Sequence, residues 1–204
     1  MDTLLAAFLF AVTSTITPGP NNLMIMSSGL NFGIRRSVPH LLGICIGFPV
    51  MVVLVGLGFG FIFEQFPFFH EVIKLIGVVY LLYLAGLIAT SMPSSTGDKN
   101  TKPFNFWQAA FFQWVNPKAW IMASGAIAAY TTMASDMFTQ VLIIALLFFL
   151  VAFPCVGVWL FCGAGLKQFL QNQTHQRWFN RMMGGLLAMS VLPIIYELIL
   201  KYLA

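Results

Sequence analysis

Long apolar runs alternate with short polar turns along this chain, and the runs have bilayer length. They cover about 4–26, 38–62, 72–92, 106–133, 138–162 and 181–201, against roughly 20 residues needed to cross the hydrocarbon core as a helix. The pattern predicts six transmembrane helices. Asn31–Arg36 and Glu64–Glu71 read as turns, Pro93–Asn100 as a polar linker and Ser135–Asp136 as a tight connection. The fifth connection, Lys167–Asn180, is Gln-rich, basic and amphipathic, which predicts an interfacial helix.

Two of the runs are interrupted where a membrane helix should be smooth. In the first lies Thr17-Pro18-Gly19-Pro20-Asn21-Asn22. Pro18 and Pro20 have no amide hydrogen, so the carbonyls of Ser14 and Ile16 lose their helical donors. Broken backbone at this depth survives only where protein or a wet cavity surrounds it. Thr13, Thr17, Asn21 and Ser28 recur at spacings of four, four and seven, which puts them on one helical face. The second interruption is Gln113-Trp114-Val115-Asn116-Pro117-Lys118, where Pro117 frees the Gln113 carbonyl. Gln113, Asn116, Trp120 and Ser124 are expected to share a face there. The rest of the chain is expected to hold these two breaks together.

Composition narrows the class. Of 204 residues, 59% are hydrophobic and 8% charged, against about 25% charged in soluble domains. This is an integral membrane protein. The opening Met1-Asp2-Thr3 carries no positive charge, so the first run reads as a retained span. The net charge of +4 reflects basic loops and not a nucleic-acid partner. Arg35, Arg36, Lys99, Lys102, Lys167, Arg177 and Arg181 fall in or beside the first, third and fifth connections, while Asp2, Glu64, Glu71, Asp136 and Glu197 lie on the other side with Lys74 and Lys201. The positive-inside rule then puts both termini outside the cytoplasm.

The two halves resemble each other. Ile25-Met26-Ser27-Ser28-Gly29 matches Ile121-Met122-Ala123-Ser124-Gly125 at an offset of 96. Phe48-Pro49 matches Phe153-Pro154 at 105, and Lys74-x-x-Gly77 matches Arg181-x-x-Gly184 at 107. A duplicated unit with an odd helix number inserts inverted, as in many secondary transporters. The expected fold is therefore all-α: six transmembrane helices in two inverted three-helix repeats, with broken first and fourth helices. Residues 1–92 form the first repeat, 93–105 a cytoplasmic linker and 106–204 the second repeat.

Candidate chemistry gathers at the breaks. Past Gly19, the amides of Asn21, Asn22 and Leu23 begin a new half-helix whose positive end suits a carboxylate. Lys118 lies deep in a span, where charge marks function by default; the alternatives are a structural bond to carbonyls freed by the prolines, or snorkelling. Asn21 and Asn116 either line a site or bridge helices. His40 is either an interfacial histidine or a group titrating in transport. Gly43 with Gly47, and Gly56 with Gly60, form faces for close helix packing. Glu197 and Lys201 read as an i,i+4 pair. Trp107, Trp114, Trp120, Tyr80 and Tyr83 read as anchors or packing, with one or two lining a pocket. Cys45, Cys155 and Cys162 read as small buried hydrophobes. No nucleophile–base constellation stands out, so an enzyme is not expected, nor a metal site or a cofactor.

The residues carry a resemblance. Thr17-Pro-Gly-Pro-Asn21, Gly33 with Arg35, and Asn116-Pro-Lys118 resemble the LysE/RhtB family of amino-acid exporters over essentially the whole chain. Asn22, Ser27-Ser28, Phe106-Trp107 and Gln113-x-Val-Asn116 are most similar to its cysteine/O-acetylserine branch. The resemblance implies export of amino acids from the bacterial cytoplasm through the inner membrane, by proton antiport; no Asp or Glu lies at mid-membrane, which leaves His40, Lys118 or the substrate itself to carry the proton. The two breaks together give the expected substrate site, Thr17, Pro18, Gly19, Pro20, Asn21, Asn22, Gln113, Asn116, Pro117 and Lys118, and a homodimer is left open. The rival readings are intramembrane thiol-redox transfer, which would need cysteines in the first and fourth spans, and a passive channel.

Overall fold

Apolar periodicity becomes helix throughout. The structure, a computed structural model, describes residues 2–59, 65, 67–91, 102–132, 136–170 and 172–203. Among these, every regular element is helical. Helices α1 (Asp2–Ile16) and α2 (Pro20–Phe32) form a pair bent by 52°. Helix α3 (Ile34–Leu54) runs into a wide turn, Val55–Phe59, in which Gly58 takes φ 104. Helix α4 spans Pro67–Thr90. Helix α5 (Phe106–Phe112), a 3₁₀ turn (Gln113–Val115) and α6 (Pro117–Tyr130) follow. The chain closes with α7 (Met137–Phe169), α8 (Gln173–Met189) and α9 (Leu192–Leu203).

Four helical stretches are long and apolar enough to cross a membrane, and the bent α1–α2 pair makes a fifth. The run 106–133, expected as the broken fourth span, is not among them. Asn116 takes an extended conformation, φ −88 and ψ 109, and divides it into pieces too short to cross alone. The Asn31–Arg36 turn also contracts. Gly33 alone, at φ 78, reverses the chain, so Asn31 and Phe32 finish α2 while Arg35 and Arg36 begin α3. Lys167–Asn180 is no separate interfacial helix. It ends α7 and starts α8, because Gln176 and Asn180 turn inward and are buried. The Pro93–Asn100 linker, Gly60 and Glu64 lie outside the described residues, and α4 begins at Pro67.

Three apolar clusters hold the helices. Ala11, Phe48, Met51, Ala123 and Phe148 join α1, α3, α6 and α7. Leu23, Leu81, Phe112 and Leu187 join α2, α4, α5 and α8. Ile25, Cys45, Ala109 and Leu160 tie α2, α3, α5 and α7 between them. The expected glycine face on α3 is a contact surface: a Cβ on Gly47 would stand 2.6 Å from Ala110 Cα, and one on Gly43 2.7 Å from Ala109 Cβ. Gly29 and Gly163 do the same between α2 and α7. Outward-facing residues such as Val79, Leu150 and Phe161 are apolar and more than half exposed, the surface lipid covers.

Candidate functional site

Both prolines of the first break leave a carbonyl behind, and the fold supplies a donor to each. Thr17 Oγ1 donates to Ser14 O at 3.0 Å. The indole Nε1 of Trp159, on α7, donates to Ile16 O at 2.9 Å. Asn22 Nδ2 reaches back to Thr15 O and Thr17 O, at 2.8 Å each. Lys118 Nζ crosses from α6 to Thr17 O at 2.8 Å, Thr17 Oγ1 at 2.9 Å and Pro18 O at 3.2 Å. Lys118 thus bonds Thr17 O and Pro18 O at the break itself, while the Ser14 and Ile16 carbonyls freed by the prolines are met by Thr17 and Trp159. Gly19 has φ 178, extended backbone open to any residue. Its glycine is needed for space: a Cβ there would lie 2.7 Å from Lys118 Cδ.

The second break is capped by its own asparagine. Asn116 Oδ1 accepts from Lys118 N at 3.2 Å, with Pro117 in the first helical position. The Gln113 carbonyl accepts from Asn116 N at 3.3 Å. Trp120 Nε1 donates to Trp114 O at 2.8 Å. The Gln113 side chain is fully buried and faces α2, where it exchanges amide bonds with Asn21 at 2.8 and 3.2 Å. Lys118 and the Asn21–Gln113 pair therefore join the two breaks. Ser124, expected on the same face, is exposed instead.

Between the breaks lies a cavity of about 30 Å³. Its polar wall is Thr15, Gly19, Asn21, Asn22, Asn116 and Lys118; Phe48 and Met122 are among the apolar side. The space holds a water or two at about 10–15 Å³ each, and not an amino acid. Thr15 Oγ1 is buried there without a hydrogen-bond partner among the described residues. Leu23 N donates to Gly19 O at 2.9 Å, so only Asn21 and Asn22 remain of the amides expected to face a ligand. Thr15 and Trp159 were not expected at the site. Trp159 had a signal, a lone N–H donor in an apolar run that must find a partner; Thr15 had none.

Other expectations move. The stripe Thr13, Thr17, Asn21 and Ser28 is split by the bend, leaving Thr13 and Thr17 exposed and Ser28 buried. His40 is buried within the bundle: it is 1% exposed, with Nδ1 2.9 Å from Ser28 Oγ, its ring 5.2 Å from Phe104, and Nε2 unpartnered among the described residues. Ser28 gives the ring a polar neighbour inside the bundle, and the cavity lining does not include His40. Glu197 pairs with Lys74 at 2.7 Å; the side chain of Lys201, its expected partner, lies outside the described residues. An unexpected second amide pair, Asn31 with Asn180 at 3.1 and 3.0 Å, also binds Ser91 O. Cys45 and Cys155 are buried as expected, whereas Cys162 is exposed, and all three are free.

Broken helices that meet around a polar cavity within an apolar bundle define a membrane transport protein. Residues 12–201 match the LysE type translocator, and the chain belongs to that family. It is a translocator and not an enzyme. It is 32% identical over 199 residues to a cysteine/O-acetylserine efflux protein of Klebsiella pneumoniae, covering 96% of this chain and 98% of that protein. Proteins of the same description from Escherichia coli and Salmonella typhimurium are 27% identical over 196 and 195 residues, each covering 95% of this chain and 98% of the relative. No solved structure matches the chain.

Proposed function

We propose that this protein exports cysteine, O-acetylserine or close relatives from the bacterial cytoplasm across the inner membrane, in exchange for protons. The observation that carries the reading is Lys118 Nζ, sent from the second break to the carbonyls of the first at the wall of a polar cavity. A substrate carboxylate would compete for that ammonium with charge-assisted bonds, each about twice as strong as bonds to neutral carbonyls. Winning it releases Thr17 O and Pro18 O, loosens the break and lets the cavity widen. The amides of Asn21 and Asn22 offer the same carboxylate a helix N-terminus, and Thr15 Oγ1 waits with unspent hydrogen-bonding capacity. His40 of α3, buried beside Ser28 of α2, and Lys118 are the groups assigned to proton exchange.

Two inverted repeats, 1–92 and 106–204 joined by the cytoplasmic linker 93–105, with both termini periplasmic, fit this cycle. Packing supports them: α1 lies on α7 as α5 lies on α3, and α3–α7 and α4–α8 pair across the centre. Purified protein in proteoliposomes loaded with labelled cysteine or O-acetylserine tests the function. An opposing proton gradient should accelerate efflux severalfold, and cysteine without its carboxylate should not compete. Flux indifferent to the gradient would make the protein a channel or a uniporter.

A further inference from the structure

A second site stands on the far side of the second break. Asn116 and Lys118 face the small central cavity, whereas Val115, Pro117 and Trp120 line another of about 250 Å³. The backbone of the break is thus the partition between them. The larger cavity approaches the size of a small-molecule pocket, 300–1,000 Å³, and has room for a small amino acid. Two of its lining residues are Lys74 of α4 and Glu197 of α9, whose side chains meet at 2.7 Å. Trp114 and Trp120 form an edge-to-face pair on the same wall, 5.8 Å between rings.

The position along α4 places this cavity at one end of the bundle. Thr90, at the other end of that helix, lines a different cavity with Lys102. Sixteen residues separate Lys74 from Thr90, about 24 Å of helix. The Lys74–Glu197 cavity and the Thr90–Lys102 cavity therefore lie toward opposite ends of α4.

Stability does not require the ion pair. Helix α9 is held on α4 and α8 by an apolar seam of Val191, Ile194, Ile195 and Leu198. The Glu197 side chain is 65% exposed, and ion pairs in such surroundings contribute little.

We propose that Lys74 and Glu197 form a zwitterion site at the end of the transport path, in which the substrate carboxylate takes Lys74 and its ammonium takes Glu197. In a zwitterionic amino acid both charges hang from one carbon, side by side like the partners of an ion pair. Such a substrate can insert between Lys74 and Glu197 and leave neither charge unpaired. An amine or an acid alone would strand one of them, which makes the pair selective for substrates bearing both groups. The site rests on the exporter reading and extends it to the step after the central cavity.

Titration of the purified protein with L-cysteine under reductant, cysteamine and 3-mercaptopropionate tests it, alongside efflux of cysteine from proteoliposomes. The wild type should bind cysteine at least tenfold more tightly than either analogue. Glu197→Gln should weaken cysteine about tenfold and leave 3-mercaptopropionate unweakened. Lys74→Met should weaken cysteine equally and leave cysteamine unweakened. The double exchange Lys74→Glu with Glu197→Lys keeps an ion pair and should keep the melting temperature, yet it can seat the zwitterion only reversed, with its side chain turned from the Trp114–Trp120 wall, and should lose affinity and efflux. Full recovery of both in that variant would make the pair a structural strut and overturn the site. So would unchanged cysteine affinity in the single variants, or equal losses for all three ligands. A wild type that moves no cysteine would strike the exporter reading, whatever the analogue pattern.

Discussion

Lys118 brings a charge to a depth where insertion alone costs about 2.5–3.5 kcal/mol, and three hydrogen bonds to Thr17 and Pro18 offset it. Lys118→Met should leave Pro18 O without that donor and Thr17 O with Asn22 alone. Hydrogen bonds to charged groups are worth about 1.5–3 kcal/mol. The variant should insert, lose about that much stability in a detergent melt, and export at background rate. Trp159→Phe keeps the ring but leaves Ile16 O bare, so it should cost about 1–3 kcal/mol in the same melt. Outside the bilayer, Asp136 caps α7 by accepting from Thr139. Side-chain and backbone hydrogen bonds from Thr139 hold its carboxyl below the ordinary value. A carboxylate depressed in the folded state stabilises at neutral pH, and this contribution fades as pH falls through the lowered value. Protection of the Thr139 and Gln140 amides from hydrogen exchange, relative to the intrinsic rate at each pH, should therefore fall under acid conditions, and already at neutral pH in Asp136→Ala.

Helices α3 and α5 approach closely because Gly43 and Gly47 lack side chains. A Cβ on Gly47 would meet Ala110 backbone, which cannot rotate aside. Gly47→Val should destabilise by about 1–3 kcal/mol, while Gly86→Ala, with open space around it, should be neutral or slightly stabilising. Circular-dichroism melts of the two variants compare them directly. The break between α1 and α2 behaves differently. At Gly19 the obstacle is the flexible end of Lys118, so Gly19→Ala can be accommodated by moving the lysine. That variant should insert at normal levels and lose most of its efflux, measured in proteoliposomes.

The arrangement of the molecule in the bilayer rests on its charges. With basic residues gathered at the first, third and fifth connections, both termini should face the periplasm. An impermeant thiol reagent applied to whole cells should label a cysteine placed at Asp136 and spare one placed at Thr96. The opposite result would reverse the orientation and with it the assignment of the Lys74–Glu197 cavity to the exit side.

The local consequences of covalent chemistry were readable from residue order. Proline removes an amide wherever it sits, so the breaks at Pro18–Pro20 and Pro117 followed directly, as did helices from apolar runs and close packing from Gly43 and Gly47. Residue order could not say which groups would satisfy the freed carbonyls. Trp159 reaches Ile16 across 143 positions, and Lys118 reaches Thr17 across 101. Many donors compete for each carbonyl, and only the packing of α6 and α7 against the first break selects among them. The same holds for Glu197, which meets Lys74 across 123 positions because α9 docks beside α4. His40 sits near a helix start, where an interface was the simplest reading, yet α2 lies against α3 and puts Ser28 beside it. Backbone rules act within a turn of helix and travel with the chain; the choice of partner is made between helices, where distance along the chain carries no information.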